Sequence, residues 1–325
     1  MRVVSFLSLF LCCCLTAMAH AQTAASPKLE RIRIATIGAR DVAETEQLYT
    51  AWLAQTVREH GTVGADLAAS WGAPASAGKP YVLLSSDASP DVFIRAVQVD
   101  APPGGYKALT TWGWNAIEII IDDIDALHAK LKASPFQFIG GPASLGVRYP
   151  TIHAMQVVGP SQEVLYLTTE TGDRSKSSLP LPGAGVGRTF IMVVAGPDIE
   201  ISRAWWADTF GMQREPVNPS LANLARRAQG LGDDVPFTIS LLRMKQHGNM
   251  LQLDGYPPGS AARPSAPGQL PPGVAMTSFE VRDLDALKLQ FIAPPRALGG
   301  AAYGNSRAAT AIGPSGELIE LIEKK

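Results

Sequence analysis

The last apolar stretch of the chain, IGPSGELIELIE from Ile312 to Glu323, carries a glutamate in its middle. Glu320 has an isoleucine and a leucine as neighbours, in a pattern typical of a buried strand. A carboxylate in this position is a metal ligand, a lone catalytic base, or a charge with no chemical role. Glu317 and Glu323 lie near the ends of the stretch, and we expect both to be solvated.

Two other side chains in predicted strands are suited to acid–base chemistry. His153 in TIHAMQVVG could act as a general acid or base near neutral pH. Tyr166 in EVLYLTT could donate a hydrogen bond to a developing oxyanion. The alternative for His153 is a half-buried strand residue that faces the helix layer.

The elements that position these residues come from a unit that occurs four times. Each copy is an apolar strand, then an aspartate, then a helix pattern, and the aspartates recur at intervals of 82, 75 and 85 residues. An aspartate in this place caps the first free N–H groups of a helix. Further strands follow each helix, so the unit is βαβββ and the fold class is α+β. The four aspartates are Asp41, Asp123, Asp198 and Asp283.

One βαβββ unit leaves a sheet face uncovered, so the units should pair. We expect units one and two to form a first half (22–170) and units three and four a second half (189–325). The Pro/Gly-rich stretch 171–188 suits a linker. A second stretch of this kind, Asp254–Gly273, would join units three and four as a flexible loop or lid.

The N-terminal residues 1–21 have the pattern of a secretory signal peptide: a basic start, an apolar run and an Ala-His-Ala site. All 3 cysteines lie within it, so the predicted mature chain has no disulfide and no thiolate. The formal net charge is −1, which gives no indication of a nucleic-acid partner. We therefore expect a periplasmic or secreted protein, without membrane association after cleavage, and a homodimer remains open.

The repeated unit resembles that of the vicinal oxygen chelate superfamily, which includes glyoxalase I, extradiol dioxygenases and fosfomycin and bleomycin resistance proteins. The resemblance is strongest in IEIIIDDIDALHAKL and in FEVRDLDAL with IGPSGELIELIE, and it covers nearly all of the predicted mature chain. It implies two glyoxalase-like halves with curled mixed sheets, each forming a cleft that holds a site.

Metal-dependent members of that superfamily have a His or Gln seven residues before the capping aspartate and a Glu in the last strand. The first-strand positions here are apolar: Ile34, Ala116, Ile191 and Met276. The last-strand positions are Arg95, Tyr166, Gln252 and Glu320. A catalytic zinc needs three protein ligands and a mononuclear iron oxygenase needs two His and a carboxylate. We therefore predict no metal and no other cofactor.

Two clefts without metal remain as candidate sites for a small-molecule ligand or substrate. The N-terminal cleft would combine flat apolar walls with polar groups, from Arg95, Trp112, Trp114, Asn115, His153 and Tyr166. The C-terminal cleft would be lined by Gln252, Met276 and Glu320, with Glu320 as a general base.

Two functions fit these clefts. The first is an exported, metal-independent lyase or isomerase that acts on a small oxygenated, possibly aromatic, molecule through Glu320, His153 and Tyr166. The second is a non-catalytic protein of the same fold that sequesters a small molecule.

Overall fold

The computed structural model describes residues 26–219, 224–232, 234–257 and 259–325. The predicted signal peptide lies outside these residues. No helix among them is long and apolar enough to cross a membrane.

The described residues form sixteen strands and five α-helices, which are divided among the four units. Unit one contains β1 (Leu29–Ala39), α1 (Val42–Leu53), β2 (Thr56–Thr62), α2 (Ala65–Ser70), β3 (Pro80–Ser85) and β4 (Phe93–Gln98). Unit two contains β5 (Gly113–Ile121), α3 (Ile124–Leu131), β6 (Gln137–Ser144), β7 (Ile152–Val158) and β8 (Val164–Glu170). Unit three contains β9 (Val186–Gly196), α4 (Ile199–Phe210), β10 (Asn218–Pro219), α5 (Leu224–Gln229), β11 (Thr238–Arg243) and β12 (Met250–Gly255). Unit four contains β13 (Gly273–Val281), β14 (Arg296–Ala297), β15 (Arg307–Ile312) and β16 (Leu318–Glu323).

The predicted aspartate caps are confirmed. The carboxylate of Asp41 accepts from the backbone of Glu44, and those of Asp123 and Asp198 each accept from two backbone N–H groups at about 3.0 Å. Unit four is the exception, because Asp283 caps only a turn and no helix follows it. The chain is already extended at Phe291, which bridges to Ala311 on β15, and Pro294 and Pro295 follow before β14.

The strands form two eight-stranded sheets, and their order corrects the predicted pairing of units. Sheet one runs β14-β15-β16-β13-β1-β4-β3-β2 and therefore joins units one and four. Sheet two runs β10-β11-β12-β9-β5-β8-β7-β6 and joins units two and three. In each sheet the first strands of two units pair antiparallel, β1 with β13 and β5 with β9. All four first strands have the same apolar pattern, so the sequence alone does not specify the partner.

The two sheets share one hydrophobic core. Alternate residues of the central strands in both sheets enter it together with the helices, and examples are Ile37, Ile119, Met192, Phe279 and Leu321. The other, concave face of each sheet carries separate clusters and the polar residues of interest. Because successive side chains on a strand point to opposite faces, this division follows residue parity.

Two buried glutamates connect the sheets at equivalent turns. Glu163 and Glu317 end the repeated sequence Gly-Pro-Ser-x-Glu, and each accepts from the serine N–H of its own turn, at 2.9 and 2.8 Å. Each also accepts from an aromatic side chain of a helix from the other sheet: Tyr49 at 3.3 Å and Trp206 at 3.1 Å, respectively. The expectation that Glu317 is solvated is therefore wrong, and burial raises the pKa of both carboxyls to about 7.

The raised pKa values of Glu163 and Glu317 predict that the free energy of unfolding decreases as the pH rises. The folded protein keeps two protons that the unfolded chain releases above its ordinary carboxyl pKa of about 4.3. Their contribution to the free energy of unfolding is thus fully present below that pH and is lost as the pH rises through about 7. In urea unfolding from pH 4 to 8, the double variant Glu163→Gln/Glu317→Gln should show a flatter pH dependence than the wild type.

Glu323→Gln is the control of opposite sign. Hydrogen bonds from Arg307 lower the pKa of Glu323, so its contribution to stability is fully present above the ordinary carboxyl pKa and is lost only as the pH falls below it. Removing it should therefore leave the decrease in stability through pH 7 unchanged. An unchanged pH dependence in the double variant would contradict the assignment of raised pKa values to Glu163 and Glu317.

Candidate functional site

The concave face of sheet one has a polar cluster at its centre. Thr36 on β1 lies beside Arg95 on β4, and Ser278 on β13 lies beside Glu320 on β16, because both strand pairs are parallel and in register. The sheet thus brings one residue from each of four strands onto the same patch. Trp71 and Tyr303 reach the patch from loops.

Glu320 accepts hydrogen bonds on both of its oxygens. Oε1 accepts from the indole N–H of Trp71 at 2.8 Å and the hydroxyl of Tyr303 at 2.9 Å. Oε2 accepts from Nη2 of Arg95 at 3.3 Å and from the hydroxyl of Ser278. The side chain of Glu320 is 0% exposed. Burial raises the pKa of Tyr303 well above its ordinary value, so its hydroxyl keeps the proton that it donates.

Arg95 is the cation of this cluster and, like Glu320, makes several hydrogen bonds. Its guanidinium donates from Nε and Nη2 to Thr36 Oγ1 at 3.2 and 3.0 Å and from Nη1 to Tyr303 at 2.5 Å. It also stacks on the Trp71 ring, 4.5 Å from the centroid. The side chain is 2% exposed. Arg95 and Glu320 therefore form a fully buried, fully hydrogen-bonded ion pair.

These residues do not fit the metal centre of the proteins that the sequence resembles. Ile34 and Met276 lie on the same face of β1 and β13 as Thr36 and Ser278, and neither is a good ligand for a hard or borderline cation. The lone pairs of Glu320 are already engaged, and the guanidinium of Arg95 supplies the positive charge beside it. Within the described ranges no group of three or more His, Cys, Asp or Glu could hold a metal ion.

Little open space remains on this face. The cavity that Arg95 and Tyr303 line has a volume of about 30 Å³, which suits a single water molecule. The carboxylate of Glu320 is saturated with donors and has no space for a substrate beside it. Glu320 therefore acts in the structure as the partner of Arg95, whereas Arg307 binds Glu323 at 2.8 Å.

Removing one member of this pair should be costly. Arg95→Met leaves an unpaired buried carboxylate and should lower the free energy of unfolding by about 3–5 kcal/mol. The double variant Arg95→Met/Glu320→Leu should lose clearly less than the sum of the two single losses. Urea unfolding of the four proteins measures this coupling.

The exposed pair Arg214–Asp208, 2.5 Å apart, is the control. Arg214→Met should cost at most about 1 kcal/mol, since exposed ion pairs contribute little. Strict additivity at Arg95 and Glu320 would show that the two charges do not stabilise each other.

The concave face of sheet two carries a second polar cluster with a different character. Glu118 on β5 lies beside Tyr166 on β8. Gln252 and Asp254 lie two residues apart on β12, so their side chains share the same face, and Nε2 of Gln252 donates to Asp254 at 2.8 Å. Tyr166, Gln252 and Asp254 are only partly buried, so a ligand can reach them.

Both carboxyls of this cluster have pKa values well above the ordinary carboxyl value. Burial raises the pKa of Glu118 to about 7, with the nearby Asp254 adding to the effect, although Thr168 donates to Glu118 at 2.6 Å and opposes it. Burial also raises the pKa of Asp254 to about 7, against the hydrogen bond from Gln252. Buried carboxyls with pKa values close to working pH are characteristic of acid–base sites.

Two tyrosines complete the cluster. Burial and the charge of Asp254 raise the pKa of both Tyr166 and Tyr256 well above the ordinary value, so both hydroxyls remain donors. The hydroxyl of Tyr256 has no hydrogen-bond partner among the described residues. Leu224 of α5 and Phe237 pack against the same face and form an apolar roof over it.

The remaining predicted site residues do not lie together in the two clefts where they were expected. His153 is opposite Thr169, whereas Gln156 is opposite Tyr166, so His153 lies on the other face of sheet two. The structural alternative for His153 is therefore correct. Gln252 belongs with Tyr166, and Met276 and Arg95 belong with Glu320, because the units pair one with four and two with three.

The tryptophans and Asn115 lie at the junction of the sheets. Trp114 is 1% exposed, packs against Trp206 and Phe279, and donates from Nε1 to the carbonyl of Leu318 at 2.7 Å. Trp112 donates to Ser260 at 2.6 Å. Asn115 donates to the carbonyls of its own loop. None of these three contributes a hydrogen bond to either polar cluster.

Sequence reasoning missed Glu118 and Asp254. Glu118 lies five residues before its capping aspartate, the same spacing as Thr36 and Ser278 in their units. That spacing has the same strand parity as the seven-residue position that was considered, and it would have identified Glu118. Asp254 lies two residues after the last-strand position Gln252, and strand parity would have identified it in the same way.

Comparisons with known proteins address the fold. No protein-family model matches the sequence, and no curated protein matches it. The solved structure of glyoxalase I from Zea mays is similar, with a TM-score of 0.57 at 15% identity, over 90% of this chain and 92% of that one. A putative dioxygenase from Bacillus subtilis has a TM-score of 0.58 at 11% identity, over 92% of this chain and 86% of that one. At these identities the comparisons confirm the fold that the sequence predicted.

Proposed function

We propose that this chain, which has the vicinal oxygen chelate fold, is a metal-independent lyase or isomerase that transfers protons on a small oxygenated molecule. The proposed site is the concave face of sheet two. One arrangement carries the proposal: the buried Glu118 and the partly buried Asp254 lie on one face together with two tyrosine hydroxyls, and their surroundings raise the pKa of each carboxyl to about 7. At neutral pH such a pair supplies one ionised base and one protonated acid.

Each residue of the cluster has a role in this scheme. The ionised carboxyl accepts a proton from the carbon next to a carbonyl, and the protonated carboxyl donates one to the leaving group or to the neighbouring atom. The hydroxyls of Tyr166 and Tyr256 donate to the substrate oxygen on which negative charge develops. Gln252 holds Asp254 in place through the hydrogen bond of 2.8 Å. Glu320 and His153 take no part in the transfer.

The apolar roof supports the same proposal. Leu224, Phe237 and Met250 exclude water from the side of the cluster that they cover. A low-polarity environment strengthens the hydrogen bonds between tyrosine hydroxyls and an enolate-like oxygen. Export to the periplasm, suggested by residues 1–21, belongs to the same proposal.

The substitution Glu118→Gln or Asp254→Asn should lower kcat by about 10²- to 10⁴-fold, because each removes one proton-transfer group. A suitable first assay follows solvent deuterium incorporation into a panel of small carbonyl compounds by NMR. Glu163→Gln is the matched control, since it replaces another buried carboxyl of pKa about 7 away from this face. Unchanged exchange in both site variants would contradict the assignment.

The pH dependence of kcat/KM should be bell-shaped with a maximum near pH 7. Activity falls at low pH because the base becomes protonated, and at high pH because the acid becomes ionised. Asp254→Asn should remove one limb of the profile. Chelation with EDTA should leave the rate unchanged, and a loss of rate that added metal restores would contradict a metal-independent reaction.

The enclosing roof also favours the second candidate, a protein that sequesters a small molecule without converting it. A binder of this kind would hold the same compound in the wild type and in Glu118→Gln with similar affinity. It would show no deuterium incorporation in either protein.

A further inference from the structure

A cluster of three arginines lies where β1 of sheet one approaches β9 of sheet two. Arg31 and Arg33 come from β1, and Arg188 comes from β9. The side chains of Arg31 and Arg33 are 19% and 15% exposed, respectively, and Arg188 is also partly buried. Partly buried charges are costly unless opposite charges balance them, so the partners of these guanidiniums decide what the cluster can bind.

Asp91 bridges the first two arginines. It lies in the turn before β4, whose first residue pairs with Ile34. Its Oδ2 is 2.6 Å from Nη1 of Arg31 and 3.4 Å from Nη1 of Arg33, so both guanidiniums share one carboxylate oxygen. The side chain of Asp91 is 53% exposed. Since exposed ion pairs contribute little to stability, this carboxylate can turn away from the arginines at small cost.

Asn249 attaches Arg188 to the same part of β1. Its Oδ1 accepts from Nη1 of Arg188 at 3.2 Å and from the backbone N–H of Ile32 at 3.1 Å, and Ile32 lies between the first two arginines in the chain. The other hydrogen bonds of Arg188 go to the carbonyls of Thr189 and Gly248. All these partners are uncharged, and Arg188 forms no salt bridge within the described part of the chain.

The carboxylates beside the cluster do not balance its charge. The second carboxylate, Glu280 on β13, accepts from Nε of Arg31 at 3.1 Å and lies 3.9 Å from Nη1 of Arg33. Lys324 lies 3.7 Å from the other oxygen of Glu280. Among the described residues, two carboxylates thus face four cations at this place. The excess of positive charge favours an anionic ligand.

The three guanidiniums also repel one another. Burial and the nearby charge of Arg31 lower the pKa of Arg33 and of Arg188. The Nε atoms of Arg33 and Arg188 are not fully buried and have no hydrogen-bond partner among the described residues, so each arginine keeps an accessible donor. The N–H groups of guanidiniums match the oxygens of a phosphate group.

We propose that this arginine cluster binds a small phosphate-type oxyanion, either inorganic phosphate or the phosphate group of a small organic molecule. The anion accepts from Arg33 and Arg188, and its charge relieves the repulsion between the guanidiniums. Asp91 competes with this anion for the same part of the cluster. The site is separate from the proposed catalytic cluster on sheet two.

Isothermal titration calorimetry at low ionic strength tests the proposal with inorganic phosphate, sulfate and phenyl phosphate, and with chloride as the control anion. Phosphate should bind the wild type with a Kd of about 1 mM or below, and chloride should not compete at equal concentration. Arg33→Gln and Arg188→Gln should each weaken phosphate binding about fivefold or more, because each removes one guanidinium. The tighter of the two phosphates identifies whether inorganic or organic phosphate is the preferred source.

Asp91→Asn tests the competition directly. Removing this carboxylate should tighten phosphate binding about tenfold, and damage to the fold would not produce such a gain. Asp87→Asn is the matched control, because Asp87 belongs to the same connection between β3 and β4, is 76% exposed, and bonds a different arginine, Arg58, at 2.6 Å. It should leave phosphate binding unchanged.

Three outcomes would overturn the proposal. The first is no binding of phosphate, sulfate or phenyl phosphate up to about 20 mM. The second is equal affinity for phosphate in the wild type, Arg33→Gln and Arg188→Gln. The third is an equal gain in Asp91→Asn and Asp87→Asn, which would show that only the net charge of the protein matters.

Discussion

The buried ion pair between Arg95 and Glu320 is the interaction on which the arrangement of sites depends. It joins β4 of unit one to β16 of unit four across the two central strands of sheet one. Burying two charges is favourable only when hydrogen bonds satisfy them completely, and Thr36, Ser278, Trp71 and Tyr303 do so. The same contacts close the face, and the guanidinium of Arg95 supplies the positive charge beside Glu320.

The two sheets have equivalent strand orders, but their polar clusters differ. The polar cluster of sheet one contains one cation and one anion, Arg95 and Glu320, and hydrogen bonds fix both. The polar cluster of sheet two contains the carboxyls of Glu118 and Asp254, and among the described residues no basic side chain is bonded to either. Without a cation the carboxyls retain protons, and retained protons near neutral pH are what acid–base chemistry requires.

The features that depend on local sequence pattern were predicted correctly. Strand alternation, the capping aspartates Asp41, Asp123 and Asp198, and the βαβββ unit are all local, and the structure confirms them. The partner of each first strand depends on long-range packing between nearly identical apolar strands, so the predicted pairing of units failed. Because of that one error, Arg95 and Gln252 were predicted in the wrong clefts. In the structure Arg95 lies with Glu320, and Gln252 lies with Tyr166. The missing helix after Asp283 shows the same limit, because the bridge between Phe291 and Ala311 that follows it is a long-range contact.

The central claim is that proton transfer resides on sheet two, at Glu118 and Asp254. Carbon-13 NMR titration of the side-chain carboxyls, assigned with Glu118→Gln and Asp254→Asn, measures it directly without knowledge of the substrate. Both resonances should titrate with midpoints near pH 7. Midpoints near the ordinary carboxyl value of about 4 for both groups would contradict the account.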